Sequence, residues 1–87
     1  MNGISFLESI KSNQFRIDFP YFGLFDTAEI TPLHKNGENC FECRLRSGKV
    51  VVVKHTGQYH KWIDVVENTV TPLSRVLGSE IEDFLKH

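Results

Sequence analysis

Between Asn39 and Thr56 the chain carries two strand patterns joined by a short turn, and no other stretch narrows the possible folds so far. Residues Cys40 to Arg46 alternate, with Phe41, Cys43 and Leu45 on one parity and Cys40, Glu42, Arg44 and Arg46 on the other. That is the period-two signature of a half-buried strand. Lys49 to His55 contains the valine run Val50 to Val53, and consecutive β-branched residues suit a strand covered on both faces. Taking Ser47-Gly48 as a two-residue loop, with Gly48 supplying the positive φ such turns need, sets an expected register. Leu45 then faces Val50, Cys43 faces Val52, Glu42 faces Val53 and Cys40 faces His55.

An earlier strand, Thr27 to His34, fits the same scheme. Asn36-Gly37 is the strongest hairpin signal in the chain, and as a two-residue loop it pairs Ile30 with Cys43, Ala28 with Leu45 and Glu29 with Arg44. Apolar residues meet and opposite charges face each other. Pro32 removes one ladder donor from this strand. Phe15 to Phe19 alternates strictly and is expected at an edge of the meander, with Pro20 ending its ladder. Thr56 to Tyr59 turns the chain, and His60 to Asp64 is expected as a short further strand. With Gly57-Gln58 as its loop, Val52 faces Ile63, Val53 faces Trp62 and His55 faces His60.

Two segments read as helical. Ile4 to Lys11 spaces Ile4, Leu7 and Ile10 three apart beside Phe6, a short leading helix that must dock to persist. Thr71-Pro72 opens a C-terminal helix, an N-cap followed by proline in the first turn, and Leu73, Val76, Leu77, Ile81 and Phe84 form one apolar stripe. Gly78-Ser79 interrupts the stripe, and Ser79 with Glu82 makes a capping-box pattern, so the segment is one helix with a weak joint or two short ones. A second start after Ser79 would place Glu80, Glu82 and Asp83 in a first turn, where anions complement the helix dipole. The expectation is a single α+β domain over residues 1–87. An antiparallel β-meander of three to five strands packs against the C-terminal helix, with the short N-terminal helix beside it.

With 87 residues, 40% hydrophobic and 24% charged, the chain suits one small soluble domain. No run reaches the roughly 18 apolar residues of a membrane span, and Met1-Asn2-Gly3-Ile4 lacks the regions of a signal peptide. A cytoplasmic location and no membrane partner are expected. Cys40 and Cys43 fall on opposite parities, cannot bridge within one flat strand and read as reduced thiols. The net charge of −1 is unevenly spread, because between Cys40 and Trp62 the cations Arg44, Arg46, Lys49, Lys54 and Lys61 face the lone anion Glu42.

Chemistry concentrates near the hairpin. Cys40-x2-Cys43 followed by His55-x4-His60 approaches the spacing of a two-Cys two-His zinc finger. A finger carries its histidines on a helix, whereas these follow a valine strand, and Phe41-Glu42 continues a strand where a knuckle turn is needed. The expected register leaves a narrower arrangement, with Cys40, His55 and His60 in one row across neighbouring strands, roughly 5 Å apart at Cβ. Such a row suits a three-ligand metal site or a Cys/His nucleophile pair, and equally suits polar residues at a sheet edge. Neither a nucleophile elbow, a glycine-rich phosphate loop nor a metalloprotease helix occurs, so no enzyme, metal or cofactor is assigned.

Binding readings remain. Arg44, Arg46 and Lys49 share a face near Ser47-Gly48, with Tyr59 and Trp62 in range, a mixture suited to single-stranded nucleic acid. The same cations also serve as solvated guards against edge aggregation, and Glu29 is placed to neutralise Arg44. Five aromatic residues lie between Phe15 and Phe25. They read first as buried area for a small core, and second as a sticky surface at Tyr21, Phe22 and Phe25. The second face of the meander, expected to carry Leu33, Cys40, Val51 and Val53, is too apolar to stay wet, so the leading helix or another subunit should cover it. The first functional expectation is therefore a protein-interaction or self-association module with a homo-oligomer or protein partner. Weak nucleic-acid binding is the second, and a small-ligand or metal site near Cys40 and His55 the third.

The run Phe41-x-Cys43-x-Leu45-x-Ser47-Gly48 followed by valines, then Trp62-Ile63-Asp64-Val65 and Thr71-Pro72-Leu73-Ser74-x-x-Leu77-Gly78, resembles short single-domain bacterial proteins of uncharacterised function. The resemblance implies a stand-alone bacterial protein and implies no activity.

Overall fold

The computed structural model describes residues 14–35, 38–57 and 60–86. Five strands, β1 (Phe15–Tyr21), β2 (Leu24–Lys35), β3 (Glu38–Leu45), β4 (Val50–Thr56) and β5 (Lys61–Asp64), precede one helix, α1 (Pro72–Lys86). The strands form one antiparallel sheet in sequence order. Because α1 packs on both edge strands, β1 and β5, as well as on β4, the sheet curls around the helix. This is the expected meander with a C-terminal helix, at the upper end of the strand count. The expected leading helix, Ile4 to Lys11, lies outside the described residues.

One parity of every strand faces α1. Ile17, Phe19, Ala28, Ile30, Cys43, Leu45, Val51, Val53 and Trp62 close on Leu73, Leu77 and Ile81 of the helix to form the core. Burying a large apolar side chain of this kind contributes about 1.5–3 kcal/mol. The β2–β3 register follows the Asn36-Gly37 reading, with Ala28 opposite Leu45, Glu29 opposite Arg44 and Ile30 opposite Cys43.

The β3–β4 register differs from expectation by one residue. Cys43 faces Val51 and Cys40 faces Lys54. The loop holds three residues, Arg46-Ser47-Gly48: Leu45 N donates to Lys49 O at 2.8 Å and Gly48 N to Leu45 O at 2.9 Å. Gly48 takes φ +97°, the left-handed glycine that closes three-residue hairpins with a bulge. A slip of one exchanges the faces of a strand. Val51 and Val53 therefore belong to the core, and Val50 and Val52 take the outer parity. The valine run could not fix this parity, being equally apolar on both sides.

Two other junctions differ. The β4–β5 register is displaced by two, with Lys54 opposite Ile63 and His55 opposite Trp62, which leaves the facing parities unchanged. The loop absorbs the extra residues: His60 N donates to Thr56 O at 2.8 Å, with His60 at φ +53°. Pro20 does not end β1, which pairs on through Pro20 with Phe25 and Tyr21 with Leu24. As an edge strand, β1 accommodates a proline without a lost ladder bond. Phe22 and Gly23, at φ +54° and +77°, make the turn, and two successive positive φ values mark a type I′ hairpin.

The helix begins as its sequence indicates. Ser74 N donates to Thr71 Oγ1 at 2.9 Å and Thr71 N donates to Ser74 Oγ at 2.8 Å, a reciprocal cap with serine in the third position. Gly78 does not break the helix. A Cβ at this position would overlap the Trp62 ring, so the glycine lets α1 lie directly on the indole. Glu80, Glu82 and Asp83 consequently sit in the middle and last turns of one helix, away from any first turn.

Candidate functional site

Among the described residues, the most exposed large apolar side chains gather at one end of the sheet. The β1–β2 turn projects Phe22 (86% exposed), the start of β2 exposes Leu24 and Phe25, and Val66 (83%) stands out from the β5–α1 connection. Tyr21, Phe22, Val50, Val66, Pro72 and Leu73 line a groove of about 450 Å³ here, with Lys49 and Glu67 among its polar residues. The connection is braced by hydrogen bonds to Asp64. Asp64 Oδ1 accepts from Val66 N at 2.9 Å and Glu67 N at 3.1 Å, and Asn68, at φ +57°, donates its N–H to Asp64 O at 2.7 Å. The Phe22 and Tyr21 rings lie 4.4 Å apart between centroids.

Of the residues expected at an interaction surface, Tyr21, Phe22 and Phe25 are at this end. Phe22 and Phe25 therefore add no core area: Phe22 stands in the turn, and Phe25, opposite Pro20 in β2, lies on the parity away from the core, while Phe19 of the same aromatic run is fully buried. Val51 and Val53 are core residues through the one-residue slip. Leu33 and Cys40 remain on the face opposite α1, paired across β2 and β3. Leu24, Val50 and Val66 were not legible as one surface. A turn at Phe22-Gly23 was the signal for the first, and an asparagine-ended turn from Asp64 to Asn68 the signal for the last.

The row of Cys40, His55 and His60 does not form. With Cys40 opposite Lys54, Cys40 and His55 stand on opposite faces of the sheet, and among the described residues no three His, Cys, Asp or Glu side chains are placed to hold a metal ion. His55 instead joins an aromatic and acidic cluster. Its ring lies 5.3 Å from Trp62 and 5.9 Å from His60, and its Nε2 is 3.7 Å from Glu82 Oε1. The same Glu82 oxygen accepts the Trp62 indole N–H at 2.7 Å. Glu82 was missed because its partner lies 20 positions away. Cys43 is sealed in the core, where burial, with a smaller push from Glu42, raises its thiol to a pKa of about 12. A thiol so raised is no nucleophile near neutral pH.

The basic residues separate. Arg44 and Arg46 share a groove with Arg16, Asp18 and Glu29, whereas Lys49 lines the apolar end. Glu29 pairs with Arg16, at 3.5 Å, rather than with Arg44, since both flank it across the sheet. Trp62 is 8% exposed under Gly78 and offers no free face for a base. Tyr59 lies outside the described residues. Among the described residues no helix is long and apolar enough to cross a membrane.

No known protein family, curated protein or solved structure matches the chain. The likeness to short bacterial proteins is thus without a matching family, and any functional reading rests on the geometry.

Proposed function

We propose that the chain is a self-association module that pairs through its apolar end with a second copy of itself. The observation that carries this reading is the exposure of Phe22 and Val66 along an apolar groove, with Leu24 and Phe25 exposed at the adjoining start of β2. Monomeric proteins seldom leave large apolar side chains grouped in this way. The exposed start of β2 and the groove occupy the same end, so a two-fold axis lets Leu24 and Phe25 of each copy meet the groove of the other. Lys49 and Glu67 belong to the same groove, and the two-fold arrangement can bring the lysine of one copy to the glutamate of the other. A patch that carries both a cation and an anion beside its apolar residues suits a second copy better than a partner of one charge.

Sedimentation velocity across a concentration series tests the proposal. The parent chain should sediment as a dimer at the upper concentrations, and Phe25→Ser should weaken the association by at least about tenfold, as expected for removing one buried aromatic anchor. A strict monomer throughout, or a dimer indifferent to Phe25→Ser, would overturn it.

A further inference from the structure

The groove that Arg44 and Arg46 share with Arg16, Asp18 and Glu29 lies on the face of the sheet turned away from α1 and encloses about 620 Å³. Strand register builds it. Arg16, Glu29 and Arg44 stand opposite one another across β1, β2 and β3. One level further along, Asp18 stands opposite Thr27, and Arg46 N donates to Thr27 O at 3.1 Å. Phe25, two residues before Thr27 on the same parity of β2, adjoins the groove at a third level, and its side chain is 80% exposed. Residues two apart on one face of a strand are separated by about 7 Å, so Arg44, Arg46 and Phe25 mark successive steps of that size. Three guanidiniums meet two carboxylates here, and both carboxylates are engaged: Glu29 pairs with Arg16 at 3.5 Å, and Asp18 Oδ1 accepts the Thr27 hydroxyl at 3.1 Å. Arg44 and Arg46 are exposed, and among the described residues neither makes an ion pair.

We infer that this face binds a single strand of nucleic acid, with phosphates on Arg44 and Arg46 and a base stacked on Phe25. A planar guanidinium meets a phosphate with paired N–H donors, and an exposed ring accepts any base through its π-face. A free phosphate would make no use of Phe25. A duplex keeps its bases stacked on one another and has none to offer the ring. Phe25 also belongs to the pairing end, so a strand and a second copy of the chain compete for it. The binding of a strand does not depend on the pairing.

Fluorescence anisotropy tests the inference, with fluorescein-labelled oligomers of thymidine and of uridine, about 12 nucleotides long, at low salt. The full parent chain is titrated beside Phe22→Asn, which weakens pairing and leaves the groove intact. Saturable binding of either oligomer to either form is expected at or below about 100 µM chain, the weak end of non-specific affinities. Arg44→Gln/Arg46→Gln should weaken it and reduce the slope of log K against log salt by about 1.4, for two phosphate contacts at about 0.7 each. Phe25→Ala should weaken binding at least about fivefold, the loss of one stacked base. All three side chains are exposed, so these variants should keep the parent fold. Absence of saturable binding in both forms would overturn the inference. So would an unchanged salt slope in the double variant, unchanged affinity in Phe25→Ala, or a polyphosphate of matched charge that competes as well as the oligonucleotide.

Discussion

Gly78 shows how one side chain's absence shapes the fold. Helix propensity favours alanine over glycine by about 1 kcal/mol, so an unconstrained Gly78→Ala would stabilise the protein. Here the added Cβ overlaps the buried indole of Trp62, whose N–H is tied to Glu82. Overpacking a filled core costs about 1–3 kcal/mol, and a ring held at both face and edge has little room to yield. Gly78→Ala is expected to lower stability by about 1–2 kcal/mol in urea unfolding; a gain would show that the helix can move off Trp62. The second residue-scale prediction concerns Cys43. Its thiol is raised from 9.0 to about 12, so the folded state favours the neutral form. Its contribution is complete below pH 9 and is lost as pH rises toward 12, by about 1.4 kcal/mol per pH unit. Lys54, raised by its hydrogen bond to Glu38, loses its proton in an overlapping alkaline range. Cys43→Val separates the two, since it should remove most of the slope of stability against pH above 9. An unchanged slope would reassign the effect to other groups.

At the level of elements, hairpin turns decided what the sequence could and could not reveal. Asn36-Gly37 fixed the β2–β3 register correctly because its two residues have one common loop geometry. Ser47-Gly48 did not, because a glycine can serve as the second residue of a two-residue loop or the last of a three-residue one. That single ambiguity moved Val51 and Val53 between faces and created the false neighbours Cys40 and His55. The β1–β2 turn is the opposite case, in which sequence and conformation disagree. Type I′ turns favour asparagine before glycine, yet Phe22 holds that position at φ +54°, at a cost of about 1–2 kcal/mol for an ordinary side chain. Phe22→Asn relieves this strain and removes an exposed aromatic together. In denaturant titrations at a concentration where both chains are monomeric, the variant should be more stable by about 1 kcal/mol. In sedimentation it should associate more weakly than the parent. A variant that gained stability with no loss of association would leave Phe22 without a role at the interface.

For the whole molecule, the meander was legible because each strand pairs with its neighbour in sequence, so local turn chemistry propagates into global order. The apolar end was not legible, because Phe22, Val50 and Val66 come from the β1–β2 turn, the start of β4 and the β5–α1 connection and meet only when the sheet curls round α1. The same geometry links association to stability. If the folded chains pair and the unfolded chains do not, mass action makes the unfolding midpoint depend on concentration. Each tenfold rise adds about 1.4 kcal/mol to a dimer unfolding into two chains. With an unfolding entropy of about 2.1 cal/mol/K per residue and 87 residues in each chain, that corresponds to about 4 °C in Tm per decade of concentration. A hundredfold series should therefore raise Tm by about 8 °C, well beyond the scatter of a thermal melt, and Phe25→Ser should flatten the dependence at low concentration. Calorimetry on both chains across the series checks this, and a Tm independent of concentration in the parent chain would show that the apolar end stays unpaired in solution.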